Sequence, residues 1–448
     1  MNSISDVINN KLCTGCGVCV SESPNIKGMK WDEEGFLIPN LIEDLEESPN
    51  ALKVCPFNIN KSNTEPDEDR LAEIFLADAP VENALVGRYF KSYAGYSQQY
   101  RESSSSGGIA TYIFEQLLIQ KIVDYIFVVK GAEGGYCYQL FSNIEDIRST
   151  SKTRYIPVSM DKLFETIDKI DGKIAISGVA CFVKAVRLKQ TIHEELKTKI
   201  AFVVGIICGG LKSKFFSDYL AQKSGIEGSY YNQDYRIKDE KSMAHDYAFG
   251  AMDQNRILHT VKMRSLGDMW GTGLFKSNAC DFCDDVTTEL ADISLGDAWL
   301  EPYLREGLGN SVILTRSLVA ENIIVKAIED NSDLNVSELS IDRFIASQKG
   351  SFNHRRVGLA YRIKLRTRLG YLVPKKRERV LQNIPFEFKL VQRIRMKLRE
   401  ASLQSWIRDG NSDSFEKNIE KYKRILKYVT RVYHRIQIIR KKIGLKNI

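Results

Sequence analysis

Apolar residues follow two different spacings along the middle of the chain. Short continuous apolar runs, bounded by polar and glycine-containing segments, predict buried strands. Between these runs, apolar residues recur at three- and four-residue steps, which predicts helices with one buried face. The predicted strands cover 123–130, 173–177, 200–208 and 311–315. The predicted helices cover 106–120, 161–170, 181–190 and 212–223. Because the two patterns alternate, we expect an α/β fold, α+β overall, with a mixed or largely parallel sheet in its core.

The two ends of the chain differ from this middle part. Near the start, a polar turn at 32–35 predicts a short hairpin between Met29 and Pro39. Residues 60–72 are polar and contain a proline and an acidic run, which predicts a linker. Near the other end, apolar residues at three- and four-residue steps predict a single amphipathic helix over 415–443.

The composition favours a large cytoplasmic protein. Of its 448 residues, 43% are hydrophobic, which is enough for a substantial core. No apolar run approaches the roughly 20 residues of a membrane-spanning helix. The N-terminus lacks the basic-then-apolar pattern of a signal peptide. Nine cysteines without such a signal favour a reducing compartment and ligand roles over disulfides.

The net charge of +7 conceals a basic tail on an acidic body. Residues 351–448 carry 27 Lys and Arg against 7 Asp and Glu, whereas the first 350 residues carry 37 against 50. Three interpretations of the tail stay open. It could lie on anionic lipid at the inner face of the membrane, bind nucleic acid, or pack on the acidic body or a partner. No recognised nucleic-acid-binding fold accompanies it, so we expect no nucleic-acid partner.

The membrane interpretation makes a structural prediction for the tail helix. If the helix serves a membrane surface, its apolar stripe should be at least partly exposed, with basic residues on either side. The stripe consists of Ile419, Leu426, Val429, Tyr433 and Ile436.

Four cysteines near the start of the chain have the spacing of iron–sulfur ligands. Cys13, Cys16 and Cys19 are each separated by two residues, and Cys55 follows at a distance with Pro56 behind it. A triple run and a remote Cys-Pro occur together in bacterial ferredoxins, where the fourth cysteine belongs to the other cluster. Here only four such cysteines exist, so we predict one [4Fe–4S] cluster. The alternative is a zinc knuckle, although zinc ligands usually come as two separated pairs.

A second group of cysteines follows the predicted strands. Cys181 and Cys208 come after neighbouring buried strands, where ligand sites of open α/β sheets lie. Cys280 and Cys283 form a C-x2-C pair, which taken alone fits zinc, a cluster or no metal. Cys137 lies in a Gly-Tyr context and is predicted to be structural.

Several polar residues fit a nucleotide-like cofactor, each with an ordinary structural alternative. Ser105, Ser106, Gly107 and Gly108 lie at the start of a predicted helix, whose free amides suit a phosphate, although the motif taken alone favours an ordinary serine N-cap. Basic side chains could neutralise a pyrophosphate or be solvated surface. Asp297, after Gly296, could bind a ribose or cap a turn. The candidate basic residues are Lys152, Arg154 and Arg236. None of the five histidines has a partner at metal-ligand spacing, and no catalytic residue is assigned.

An ordered set of short motifs runs along roughly residues 10–350. The motifs are C-T-G-C-G-V-C at 13–19, Gly35, Phe36 and Pro39, Ser-Ser-Gly-Gly at 105–108, Ser151, Lys152 and Tyr155, Cys181, Cys208-Gly209-Gly210, Tyr235-Arg236, and C-x2-C with Ala-Asp-Ile-Ser-x-Gly-Asp at 291–297. In this ordered set the chain resembles the β subunit of coenzyme F420-reducing hydrogenase and its relatives, especially family members associated with bacterial surface-polysaccharide synthesis. The turn at Cys181 differs from the family's usual Gly-Thr-Pro-Cys-Gln, since it reads Gly-Val-Ala-Cys-Phe.

The resemblance implies a flavin and iron–sulfur oxidoreductase. It implies FAD in the α/β core and a second [4Fe–4S] cluster bound by Cys181, Cys208, Cys280 and Cys283. The candidate cofactor-binding residues are Ser105, Ser106, Gly107, Gly108, Lys152, Tyr155, Arg236, Gly296 and Asp297.

The predicted organisation follows. We expect a ferredoxin-like module at 1–60, a linker at 61–80, a FAD and cluster core at 81–355, and a basic helical extension at 356–448. Electrons would pass between a ferredoxin-like or deazaflavin (F420-type) carrier and an organic substrate, such as a sugar or lipid-linked sugar of surface-glycan synthesis. The alternative is a non-catalytic scaffold in which the cysteines bind structural metal and the basic helix organises a membrane assembly.

Overall fold

A large mixed sheet organises the chain in a computed structural model that describes residues 2–42, 46–60, 64–132, 135–150 and 152–443. The strands are β1 Ile26–Trp31, β2 Leu37–Leu41, β3 Val81–Asn83, β4 Gly87–Tyr89, β5 Ser92–Ser97, β6 Tyr125–Ala132, β7 Gly135–Phe141, β8 Ile174–Val179, β9 Ile200–Ile206, β10 Tyr231–Ile237, β11 Ala248–Met252, β12 Leu258–Lys262, β13 Ile293–Asp297, β14 Ser311–Thr315 and β15 Leu334–Glu338.

Helices surround the sheet and form the C-terminal part. They are α1 Ile4–Asn9, α2 Pro49–Lys53, α3 Glu68–Phe75, α4 Ile109–Ile119, α5 Ile144–Arg148, α6 Leu163–Ile167, α7 Ala180–Ile192, α8 Leu196–Lys199, α9 Phe215–Lys223, α10 Met263–Leu266, α11 Leu318–Glu329, α12 Ile341–Ser347, α13 Lys349–Phe352, α14 Leu359–Arg368, α15 Phe386–Asp409 and α16 Ser412–Lys442. Short 3₁₀ or π segments cover Val18–Glu22, Asn278–Phe282, Tyr303–Arg305, Asn353–Val357 and Glu378–Val380.

The large sheet has eight strands in the order β15-β5-β14-β13-β9-β8-β6-β7. Its centre, β13-β9-β8-β6, is parallel, whereas the strands on both sides pair antiparallel. The central strands are continuous apolar runs because helices cover both faces of this part of the sheet. The predicted α/β class is therefore confirmed, with a mixed sheet. The parallel strands β8 and β9 end at Val179 and Ile206, so the residues that follow them meet at one edge.

The N-terminal module packs directly on the sheet's helices. The predicted hairpin is confirmed, since β1 and β2 pair antiparallel. Val18, Val54 and Phe57 of the module share one hydrophobic core with Phe182 and Val186 of α7. Module and sheet are therefore joined by buried apolar contacts.

The segment predicted as a linker contains structure. Residues 61–63 lie outside the described residues. After them, α3 begins at an Asp67 N-cap and buries Leu71 and Ala72. The polar residues between 60 and 72 belong partly to the connecting segment and partly to the exposed face of the short helix α3. The domain boundaries themselves stay predictions.

The C-terminal part is an antiparallel helical hairpin. Helix α15 ends at Gly410, which has φ +56°, and the Asn411 side chain caps α16 by accepting from two backbone amides. Phe415 stacks on Phe275 with ring centroids 4.7 Å apart, which anchors this turn to the body. The single helix predicted over 415–443 is confirmed as α16. No described helix is long and apolar enough to cross a membrane.

The predicted exposure of the tail's apolar stripe is wrong for most of its length. Ile419, Leu426 and Val429 are buried. They belong to a hydrophobic core shared with α15 and with α9, and α9 lies about two hundred residues earlier in the sequence. Only Tyr433 and Ile436 are partly exposed. The stripe therefore serves packing within the chain, which was one of the three interpretations of the tail.

Candidate functional site

The first cysteine quartet lies in a loop whose shape depends on glycine. Cys13, Cys16 and Cys19 occupy the segment between α1 and the end of the first 3₁₀ turn, and Cys55 follows α2. Gly17 between them has φ +78°, and a Cβ at this position would lie 2.2 Å from Ser159 Oγ. A side chain at position 17 would push the loop away from Ser159. The close packing of the cysteine loop against the rest of the chain therefore requires glycine at this position.

The four thiols of this quartet lie near one another and are shielded from water. Burial raises the pKa of Cys13, Cys16 and Cys55 to about 12, and that of Cys19 well above its ordinary value. The charge of at least one of the other three cysteines also raises the pKa of each thiol. Four neighbouring thiols that are largely shielded from water are stable as thiolates only beside a cation, which suits a metal cluster.

The second quartet assembles at the edge where the parallel strands end. Cys181 lies in the first turn of α7, directly after β8, and Cys208 lies two residues after β9. Cys280 lies in the 3₁₀ segment Asn278–Phe282, and Cys283 follows it. The charges of Cys208, Cys280 and Cys283 all act on the thiol of Cys181, whose pKa burial raises well above its ordinary value. The four cysteines predicted to share a site are therefore neighbours.

Backbone amides and a buried arginine support the second quartet. The N–H of Gly210 donates to Cys208 Sγ at 3.2 Å, and the N–H of Leu211 donates to Cys280 Sγ at 3.2 Å. Hydrogen bonds of this kind tune the reduction potential of iron–sulfur clusters. Arg355 donates to the Cys208 carbonyl and lies 3.7 Å from Cys283 Sγ, so it contributes positive charge to the site.

The two quartets are adjacent. The charge of Cys16 acts on the thiol of Cys181, across the boundary between the N-terminal module and the sheet. Phe182, next to Cys181, packs in the same core as Val18, between Cys16 and Cys19. The module is thus positioned with one quartet against the other.

A cavity of about 1110 Å³ opens beside the second quartet. Thr14 and Phe57 of the N-terminal module also line it. Gly107 lies behind the wall instead, where a Cβ would come within 2.6 Å of the Gly95 carbonyl oxygen. The site residues predicted from sequence that do line the cavity are Ser105, Ser106, Gly108, Lys152, Tyr155, Arg236, Gly296, Asp297, Cys181, Cys208, Cys280 and Cys283. Ser151, the neighbour of Lys152 in the predicted motif, lies outside the described residues.

The first turn of α4 faces this cavity with uncapped amides. Gly108, at the N-cap position, has φ +80°, and no side chain caps the helix. Ser105 Oγ accepts from the Thr153 amide, and Ser106 Oγ donates to the Asn310 carbonyl. The alternative of an ordinary serine N-cap is therefore not what the structure has. The free N–H groups leave a positive helix end directed at the cavity, which suits an anionic ligand.

Two of the three candidate cations are already paired. Arg236 donates from Nη1 to both carboxylate oxygens of Asp297, at 2.8 and 2.9 Å, and Lys152 Nζ lies 2.8 Å from Asp234. Arg154 forms no ion pair with any residue that the structure describes, and its buried Nε has no hydrogen-bond partner. Of the three candidate cations, Arg154 is therefore the one without a described ion pair; its Nη1 donates to the Thr153 carbonyl, and its guanidinium lies over the Tyr136 ring.

The remaining wall is aromatic, and it includes residues that the sequence did not suggest. Tyr155 contacts Trp270 and Tyr235 edge-on, with centroid distances of 4.8 and 5.5 Å. Lys212 Nζ lies over the Trp270 ring, and burial together with the charge of Lys276 lowers its pKa to about 7. Neither Lys212 nor Trp270 belongs to a recognisable motif, so only the fold could reveal them.

The two groups of four cysteines supply the sulfur donors that iron–sulfur clusters use. Eight of the nine cysteines form two groups of four that are buried or partly buried, and all are free of disulfides. Cys137, predicted to be structural, is exposed and belongs to neither group. Within the described ranges, no group of three or more His, Cys, Asp or Glu side chains is arranged so that it could hold a metal ion.

Comparison with known proteins identifies the family. Residues 92–165 match the N-terminal part, and residues 171–340 the C-terminal part, of the coenzyme F420 hydrogenase/dehydrogenase beta subunit. These segments make up more than half of the chain, which therefore belongs to this family. The resemblance inferred from the motifs is confirmed at that level.

Individual relatives are distant. A subunit of the F(420)H(2) dehydrogenase of Methanosarcina mazei is 25% identical over 314 residues, covering 68% of this chain and 82% of that protein. The coenzyme F420-dependent sulfite reductase of Methanocaldococcus jannaschii is 21% identical over 356 residues, covering 75% of this chain and 49% of the reductase.

One solved structure shares the fold. A chain of the xenon-derivatised F420-reducing [NiFe] hydrogenase complex from Methanosarcina barkeri matches with a TM-score of 0.50 and 20% identity, covering 66% of this chain and 99% of that one. At this identity the likeness concerns the fold alone.

Proposed function

We propose that this protein is an iron–sulfur flavoprotein oxidoreductase that passes electrons between a carrier and an organic substrate. The observation that carries the proposal is that cysteines of both quartets lie in or against one hydrophobic core, and that the second quartet also borders the large cavity. A [4Fe–4S] cluster supplies single-electron transfer, and a flavin in the cavity would exchange one or two electrons. Cys13, Cys16, Cys19 and Cys55 would hold one cluster, and Cys181, Cys208, Cys280 and Cys283 the other.

The cavity supports FAD as the organic cofactor. Ligand pockets commonly enclose about 300–1,000 Å³. The cavity, at about 1110 Å³, is large enough for a dinucleotide beside a second reactant. The α4 amides and Arg154 would bind the diphosphate, because the helix end is uncapped and Arg154 carries a positive charge that no described carboxylate pairs. The aromatic wall around Tyr155 and Trp270 would contact a planar ring and exclude water.

The electron carrier and the substrate are proposed from the relatives. Both curated relatives are named for coenzyme F420, so a deazaflavin carrier is the first to test, with a ferredoxin-like protein as the second. A sugar or lipid-linked sugar of surface-glycan synthesis is the substrate that the polysaccharide-associated resemblance suggests. We propose that the protein works in the cytoplasm.

The direct test is the composition of protein purified without oxygen. We expect iron and acid-labile sulfide near eight per chain, bound flavin, and a broad visible absorption that dithionite bleaches. Reduced F420 should bleach the same bands if it is the carrier. Zinc in place of iron, without flavin, would instead favour the scaffold alternative.

The N-terminal quartet gives a prediction of its own. We expect Cys16→Ala to lose about half of the iron and sulfide while flavin content is unchanged, because Cys16 lies outside the cavity wall. Iron, sulfide and flavin analysis of the purified variant would check this. Equal iron in the variant and the wild type would show that the first quartet is not a cluster site.

Arg154 gives a second prediction, on flavin affinity. A hydrogen bond to a charged group contributes about 1.5–3 kcal/mol, so Arg154→Met should weaken FAD binding by about tenfold or more. Fluorescence titration of FAD into deflavinated protein measures this. Riboflavin, which lacks phosphate, should bind both proteins equally. An equal loss for FAD and riboflavin would contradict a phosphate contact at Arg154.

A further inference from the structure

We propose that the open end of the α15–α16 hairpin docks on an anionic lipid surface. This end comprises the start of α15, from Phe386 to Leu390, and the end of α16, from Arg431 to Ile443. It is a different surface from the apolar stripe predicted from sequence, most of which is buried inside the hairpin.

Two contacts place these helix ends side by side. Phe388 stacks on Tyr433 with ring centroids 4.7 Å apart. Arg440 Nη1 lies 2.7 Å from Glu387 Oε1. Because the helices run antiparallel, the first turn of α15 therefore lies beside the last turns of α16. At the opposite end the hairpin is anchored, where Tyr219 of α9 donates to Glu416.

Large apolar side chains are exposed on this end. Phe386 is 78% exposed, Ile438 and Ile439 are each 57% exposed, and Ile443 is 64% exposed. A single exposed isoleucine is ordinary, but four large apolar side chains exposed on two adjoining helix ends are a concentration of the kind that marks a binding site.

The charge around these side chains indicates which kind of partner this surface binds. From Lys421 to Ile443 the chain carries nine Lys and Arg and no Asp or Glu. Exposed basic side chains adjoin the apolar ones, namely Arg431, Arg435, Lys441 and Lys442 on α16 and Arg393 on α15. Apolar side chains among uncompensated basic ones match the boundary between acyl chains and anionic headgroups. A nucleic acid would use the basic residues but not the apolar ones.

Vesicle binding of the full-length holoprotein tests the proposal. We expect co-sedimentation with phosphatidylcholine vesicles that contain phosphatidylglycerol, weak binding to pure phosphatidylcholine, and weaker binding as salt rises, since the field decays over about 10 Å at 0.1 M. The double variant Phe386→Ser/Ile439→Ser and the triple variant Arg431→Gln/Arg435→Gln/Lys442→Gln should each bind at least tenfold more weakly.

Matched controls separate this surface from general effects. Leu318→Ser/Val319→Ser removes two exposed aliphatic side chains on α11, and Lys27→Gln/Lys30→Gln/Lys121→Gln removes three exposed charges elsewhere. Both controls should bind vesicles like the wild type, and all variants should keep their iron. The proposal is overturned if the wild type does not bind anionic vesicles. It is also overturned if Phe386→Ser/Ile439→Ser binds them normally, which would leave a purely electrostatic surface such as one for nucleic acid.

Discussion

Replacing Cys181 with serine should remove about half of the iron and stop electron flow between the cavity and the N-terminal quartet. Besides burial, the charges of the other three cysteines of the second quartet all raise the pKa of the Cys181 thiol. The charge of Cys16, in the first quartet, raises it as well. Loss of outer partners of a metal site alone costs about 10–100-fold in affinity or activity. For a direct ligand on the electron route we therefore expect about 100-fold or more in carrier-linked activity.

The comparison that isolates this effect is with Cys137→Ser. Cys137 is exposed on β7 and belongs to neither quartet, so its replacement changes the thiol count and nothing in the site. Iron content and the rate at which reduced F420 bleaches the N-terminal cluster should both be unchanged in that variant. If Cys181→Ser retained full iron and a normal rate, the second quartet would not be the connection between cavity and module.

The parts of this site that could be predicted from sequence are those encoded by short stretches of chain. The cysteine spacing at 13–19 and the apolar runs before Cys181 and Cys208 are local patterns, and the structure places the cysteines of each group near one another. The antiparallel pairing of the outer strands on both sides of the sheet was harder to predict. Strand β5 (Ser92–Ser97) contains a central Gly95 and no alternation of apolar and polar residues, because both of its faces are covered.

Charge pairing could not be predicted, since partners lie far apart in the chain. The sequence shows that the tail is basic, but not that part of it is buried. Arg356 and Arg377 are buried against Glu289, and Arg399 is buried against Asp281, at separations of 67, 88 and 118 residues. Likewise Arg236, predicted to be available for a phosphate, is neutralised by Asp297. The sequence gives the number of charged residues. Only the fold determines which of them stay unpaired and can bind a ligand or a surface.

Arg377 joins three parts of the chain in a buried ion-pair cluster. Its side chain is 1% exposed and donates to Asp284 at 2.9 Å, to Glu289 at 2.8 Å and to Asp69 of α3 at 2.9 Å. Arg377→Met leaves the carboxylates of Asp284 and Glu289 buried with less compensation. Removing one partner of a buried pair costs about 3–5 kcal/mol. We therefore expect a large drop in the urea concentration at the midpoint of unfolding, measured on anaerobic holoprotein.

The same cluster predicts how this loss depends on pH. Burial alone would raise the pKa of Glu289, but the charges of Arg377 and Arg356 outweigh it and lower the pKa to about 2, from 4.5. A lowered pKa means that the ionised carboxylate stabilises the folded state above about pH 4.5, and that this contribution is lost as the pH falls towards 2. The difference in midpoint between wild type and Arg377→Met should therefore be greatest near neutral pH and shrink below about pH 4.5.

Arg379→Met is the matched control. Arg379 forms ion pairs with Asp69 and Glu289, but its side chain is 31% exposed, and exposed ion pairs contribute at most about 1 kcal/mol. Equal losses in the two variants, or a difference that does not change with pH, would show that the buried cluster does not stabilise the fold through these charges.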